Sequence, residues 1–191
     1  MTKMNNNINN NGKNFFIRII ILTFFSFSLG FNLFSKDKVA YYSLKQTDGT
    51  AKTNWVGIAI PDLIKKRLSN ISQLTNIETD NFKNMLKDMN LTVSNSTNIK
   101  TFKDLAQKNE IDFLITGTYE VKDVSKSLNV KLKVHNFKTG KTKSINIGGY
   151  SNDVEGVVAY LTERVIKNFK IILNSSQLEI LKTGGNSSLS N

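Results

Sequence analysis

Cysteine is absent from this 191-residue chain, and proline, histidine and tryptophan occur once each. Without a thiol there is no disulfide framework, no thiolate zinc site and no cysteine nucleophile. Nor is there a lipidated cysteine of the kind that anchors a bacterial lipoprotein. His135 is the sole imidazole, so a serine triad or a histidine-rich metal site lacks parts. Phosphate-cradling patterns are missing too, because Gly148-Gly149 has neither GxGxxG nor GxxxxGK[ST] spacing and reads as a strand end or bulge. The carboxylates are scattered, and Asp62, Asp80, Asp104 and Asp153 fall where helices should start. The expectation is a protein with no catalytic set, no metal and no cofactor.

What is present is enough for one folded domain. Apolar residues make up 39% of the chain and aromatic residues 9%, which suffices for a core and argues against global disorder. The formal charge is +11; Lys3, Lys13 and Arg18 carry three of those charges in residues 1–35, where no acid occurs, leaving +8 for the remainder. That balance favours acidic partners.

Residues 1–35 begin with a polar, asparagine-rich stretch and continue through the apolar run from Phe15 to Leu29, with Ser28, Gly30 and Ser35 as small residues near its end. This layout is that of a secretory signal, cleaved after Ser35. An uncleaved anchor is the alternative, although Ile19 to Phe34 is short of the roughly 20 residues a spanning helix needs. Either reading places the domain outside the cytoplasm, in the periplasm or on the periplasmic side of a membrane.

Residues 36–174 then read as β-α-β-α-α-β-β-β-α. Val39 to Leu44 is a first strand, followed by a turn at Gln46-Thr47-Asp48-Gly49 and a linking segment from Trp55 to Ala59. Pro61 opens a helix lined by Ile60, Ile64, Leu68 and Ile71. A short strand over Thr75–Thr79 leads to a helix capped by Asp80, with Phe82, Met85, Leu86 and Met89 on one stripe. Thr101 and Asp104 have capping-box spacing for a third helix. Phe113–Val121, Leu128–Val134 and Ser144–Ile147 alternate as strands, the last two joined by a tight turn at Lys138-Thr139-Gly140-Lys141. Asp153 caps a long helix from Val154 to Ile172. Residues 175–191 form a flexible C-terminal tail, in which Leu178, Ile180 and Leu181 are placed to add a short turn. The fold class is therefore α/β (α+β): a mixed sheet of about five strands with a C-terminal antiparallel meander, its helices packed mainly on one face.

Taken in order, Val39-Ala40, Trp55-Val56-Gly57 running into Ile60–Leu68, Leu105-Ala106, Ile111–Tyr119, Leu128–Val134 and Phe137–Lys141 before the closing helix resemble the TolB N-terminal-like domain superfamily. FlgO, CsgG and LpoB-type envelope proteins are its relatives. The resemblance covers most of residues 38–172, and its motifs, a strand glycine at Gly117 and a turn glycine at Gly140, are structural. It implies a non-enzymatic docking domain in envelope assembly. Tyr41-Tyr42-Ser43-Leu44 departs from a strand ending in Pro-Phe, no propeller follows and no lipobox is present. Pore-forming or synthase-activating roles are therefore not implied.

The expected function is a protein–protein interaction or assembly module of the envelope, in an outer-membrane or flagellar complex, with self-association as one form. The alternative is a binder of anionic peptidoglycan or lipid head groups through a basic sheet face. Candidate surface residues are Trp55, the helical cluster Lys65, Lys66 and Arg67, and the strand residues Lys131, Lys133, His135, Lys141 and Lys143. On residue type alone Trp55 reads as rim of the core, the helical cluster as a solvated face and His135 as exposed. Nucleic acid is not an expected partner, since export removes it and the basic residues lack interleaved aromatics.

Overall fold

A computed structural model describes residues 35–48, 51–91, 99–122 and 124–183. The expected signal, Ser35 apart, and residues 184–191 lie outside the described residues.

The chain enters as β1 (Asp37–Tyr41), which sends Val39 and Tyr41 to one side of the sheet and Ala40 to the other, as the two-residue period of a strand requires. Tyr42–Leu44 then leave the ladder, and the chain returns as β2 (Lys45–Asp48), where turn composition had suggested no strand. Both pieces pair in parallel with β4 (Phe113–Lys122): Val39 opposite Phe113, and Lys45 opposite Thr118.

Helix α1 (Asn54–Leu68) starts well before the proline expected to open it, so Trp55-Val56-Gly57 is helix and Pro61 lies inside. An internal proline has no N–H to give the carbonyl four residues back. Here that carbonyl belongs to Gly57, and it accepts the Leu44 N–H at 2.8 Å instead. The break between β1 and β2 and the proline in α1 are thus two sides of one hydrogen bond. A Cβ on Gly57 would lie 2.5 Å from the Leu44 carbonyl oxygen, so the approach needs glycine.

Next come β3 (Leu74–Asn76), paired in parallel with β1, and α2 (Thr79–Asp88). Asp80 sits in the first turn of α2 rather than at its cap. A 3-10 turn, Ile99–Phe102, leads into α3 (Lys103–Asn109), whose cap position is Phe102 and not Thr101. Strands β4, β5 (Ser127–Asn136) and β6 (Lys141–Tyr150) form the expected antiparallel meander with unbroken registers. Gly148 and Gly149 lie within β6. The sheet order is β3-β1-β4-β5-β6, with β2 in line with β1 against β4, which makes six strands among the described residues.

The larger core lies between one sheet face and α1, α4 (Val154–Phe169) and α5 (Ser175–Thr183), the last contributing Leu181. A smaller core covers part of the other face, where Phe82, Leu86, Phe102, Leu105 and Ala106 pack on Ala40 and Leu114. Helices therefore lie mainly on one face, with a partial second layer over β1 and the start of β4.

Residues 175–183 were expected to belong to a flexible tail and are instead a docked helix. Buried Arg67 holds it, one guanidinium nitrogen donating to the Leu181 carbonyl at 2.8 Å and the other to Glu155 at 2.7 Å. Asp153 does cap α4, accepting from the Gly156 N–H at 3.0 Å. Asp153→Ala should lower stability by about 1 kcal/mol, read as a shift of the urea midpoint at unchanged slope.

Candidate interaction surface

The meander has one apolar and one polar side. Leu128, Val130, Leu132 and Val134 enter the large core, so Asn129, Lys131, Lys133 and His135 point the other way along β5. Cross-strand partners share a face, and the register sets Lys131 beside Thr118 and Asn146, Lys133 beside Thr116 and Ser144, and His135 beside Leu114 and Thr142. Lys45 on β2 lines up with Thr118 and joins this side. Between them lies an open cleft of about 490 Å³ walled by Thr118, Glu120, Asn129, Lys131 and Asn146.

The candidate basic face is thus rearranged. Lys131 and Lys133 remain on it. Lys141 and Lys143 do not, because Lys143 pairs with Val134 and shares the side of Ile145. The parity of β6 itself carried that answer, and Lys45 was the residue that sequence reasoning missed.

His135 is buried rather than solvated, with 1% of its surface exposed. Its Nε2 lies 3.0 Å from Thr116 Oγ1 and its Nδ1 2.9 Å from Thr142 Oγ1. Its strand neighbour Leu114 belongs to the smaller core, so the second helical layer closes over this end of the polar side. A neutral ring can donate to one hydroxyl and accept from the other. Burial first, and the Lys133 charge second, push its pKa down to about 4.

The folded state therefore resists a proton that the unfolded chain takes up near pH 6.5. Stability is full above that pH and falls as pH drops toward 4. His135→Gln should flatten the slope of urea midpoint against pH between about 6.5 and 5, above most carboxylate titration. An unchanged slope would remove His135 as its source.

The helical cluster is dispersed as well. Lys65 pairs with Glu78 at 2.9 Å, Arg67 is buried in its clasp on Leu181 and Glu155, and Lys66 alone of the three is exposed. Trp55, expected at the rim of the core, is 51% exposed, with Ile58 beside it on the outer side of α1. A further apolar groove of about 700 Å³ runs between α4 and α5, with Tyr160, Ile166, Leu178 and Leu181 in its walls. No sequence feature was read as pointing to it.

For catalysis the arrangement offers little. Among the described residues no three histidines or carboxylates gather as a metal-binding group. The Thr116–His135–Thr142 chain includes no carboxylate, and its imidazole is buried. No helix among the described residues is long and apolar enough to cross a membrane.

No family model and no curated protein matches the chain. Several solved structures are similar to it. The C-terminal domain of LpoB from Salmonella enterica aligns with a TM-score of 0.45 and 10% identity, covering 61% of this chain and 84% of that one. TolB from Acinetobacter baumannii aligns at 0.43 and 9% identity, over 78% of this chain and 29% of TolB. A lipoprotein from Neisseria meningitidis aligns at 0.43 and 14% identity, over 72% and 99%. Of these, LpoB and TolB are also named in the resemblance read from the sequence. Likeness at this level identifies no activity and no partner.

Proposed function

We propose that this chain is an exported, non-catalytic protein of the bacterial envelope that works as a protein–protein interaction module. The observation that carries the reading is the unequal covering of its sheet. One face is closed by α1, α4 and α5, whereas on the other the second helical layer stops over β1 and the start of β4. The β4–β6 half is left with hydroxyl, amide and lysine side chains and the Glu120 carboxylate on a rigid scaffold, a surface made for contact. The basic start and apolar run of residues 1–35 support export.

The test is fractionation with N-terminal sequencing of the mature protein, followed by cross-linking in intact envelopes. A mature start near Lys36, an envelope location and a discrete cross-linked protein partner are expected. A cytoplasmic chain, or an envelope chain that cross-links to no protein, would overturn the reading.

A second reading is favoured by Lys45, Lys131 and Lys133 sharing the open side: contact with an anionic cell-wall polymer or lipid surface. Retention on isolated sacculi that weakens as salt rises is its signature. Retention indifferent to salt, or none, removes it.

A further inference from the structure

Strand β6 ends the sheet, and its outer edge has no partner among the described residues. The direction of its amides follows from the register. Ser151 N–H donates to the Lys126 carbonyl at 2.8 Å, which makes that pair a hydrogen-bonded one. In an antiparallel ladder such pairs alternate with non-bonded ones. The pairs Leu128–Gly149, Val130–Ile147, Leu132–Ile145 and Val134–Lys143 are therefore bonded. Thr142, Ser144, Asn146 and Gly148 turn both N–H and C=O outward. The β4–β5 ladder agrees, since Phe137 N–H donates to the Asp112 carbonyl at 2.9 Å and assigns the odd residues of β5 to β4.

Natural edges are defended by charge, proline, a bulge or a cover. Here Lys141 and Lys143 guard one end, while Ile145–Tyr150 has no charge, no proline and no break in register. The outward residues Thr142, Ser144, Asn146 and Gly148 carry small side chains or none and are all exposed. The charge around the edge is of one sign. From Ser127 to Ser151 there are five lysines and no carboxylate. Lys138 is tied to Asp37 and Asp112. The other four flank the edge from both sides: Lys141 and Lys143 on the face of Ile145, Lys131 and Lys133 on the polar one.

We propose that the free edge of β6 receives an extended segment of a partner protein as an added strand, and that this segment alternates apolar with acidic residues. Its backbone would bond the four outward residues of β6. Its apolar side chains would continue the Ile145–Ile147 strip, and its carboxylates would lie on the polar side, facing Lys131 and Lys133 of β5 across two strand spacings of about 4.8 Å each. A second copy of this chain is a poor occupant, because its own β6 would bring further lysines to an edge already positive. The inference rests on the reading of the chain as an interaction module and names one place where it would work.

The probe is a synthetic peptide of about nine residues alternating valine with glutamate, a length that spans β6, added to the folded chain. Two comparison peptides carry lysine for glutamate, or N-methyl groups on the amides of one edge. The glutamate peptide should bind and slow hydrogen exchange at Thr142, Ser144, Asn146 and Gly148. The lysine peptide should bind at least about tenfold more weakly, and N-methylation should cost about as much. Asn146→Pro, which removes an N–H that bonds nothing within the sheet, should abolish binding while leaving the unfolding midpoint in place. The N-methyl peptide carries the test independently of that variant's folding.

Equal binding of the two charge types, protection at other amides, or no binding of the glutamate peptide would overturn the proposal. So would a concentration-dependent dimer that Asn146→Pro dissolves, since the occupant would then be a second copy. Envelope cross-links that survive Asn146→Pro unchanged would sink the edge and leave the module reading intact. Their absence from the unaltered chain would sink the module reading itself.

Discussion

Phe113→Ala is expected to cost the domain about 3–5 kcal/mol, the range for removing a large aromatic side chain from a packed core. Phe113 opens β4, the strand that pairs with β1, β2 and β5. Its ring is 2% exposed and lies 4.0 Å from the Phe169 ring, centroid to centroid. Truncation removes the ring contact between the middle strand and the last turn of α4. It leaves a void between two elements that are each held by other contacts and cannot collapse freely. At about 2–4 °C per kcal/mol for a domain of this size, the melting temperature should fall by roughly 10 °C. Circular dichroism melts and urea titrations would read it, and a loss under about 1 kcal/mol would show that the site relaxes.

The second large effect is steric. Gly117 sits in the middle of β4 opposite Leu132, and a Cβ there would stand 2.3 Å from the Lys131 carbonyl oxygen and 3.0 Å from the Leu132 Cα. Both obstacles are backbone, so neither can swing aside as a side chain would. Gly117→Val must push β4 from β5 in the center of the meander, at the upper end of the roughly 1–3 kcal/mol typical of overpacking. Hydrogen exchange gives the sharper test, because protection should drop first at Thr118 and Lys131, which pair beside it. Protection lost evenly along β4 would mean a global effect and not a local wedge.

The parts legible in the sequence are those where neighbouring residues differ most. Leu128, Val130, Leu132 and Val134 alternate with polar residues, so β5 and its faces were readable from its period alone. In β6 only Ser144–Ile147 shows such contrast. The lysines at its start and the glycines at its end hid six of its ten residues. Strand β2 was missed because Gln46-Thr47-Asp48 has turn composition, and its pairing with Tyr119 and Glu120 depends on residues about 70 positions away. The start of α1 was misplaced because Pro61 carries a strong local preference, overridden by the Leu44 N–H that takes up the Gly57 carbonyl.

For the surface the lesson differs. His135 was assigned to the correct side of its strand, and its burial, beside a Leu114 that packs in the smaller core, is a tertiary event with no local signature. Arg67 likewise reads as one of three basic residues until Leu181 supplies a carbonyl for it. Lys131 and Lys133 kept their expected face, whereas Lys141 and Lys143 were grouped by sign when parity separated them.

The parallel pairing of β1 with β4 sets an order of events in time. The meander closes through tight turns, so its contacts are local and cheap to form. Val39 meets Phe113 only after a long intervening chain has been brought round, and that closure opposes folding entropically. A chain emerging N-terminus first therefore exposes Val39, Ala40 and Tyr41 long before β4 exists to cover them. The first strand of the domain is thus made early and paired with the middle of the sheet late.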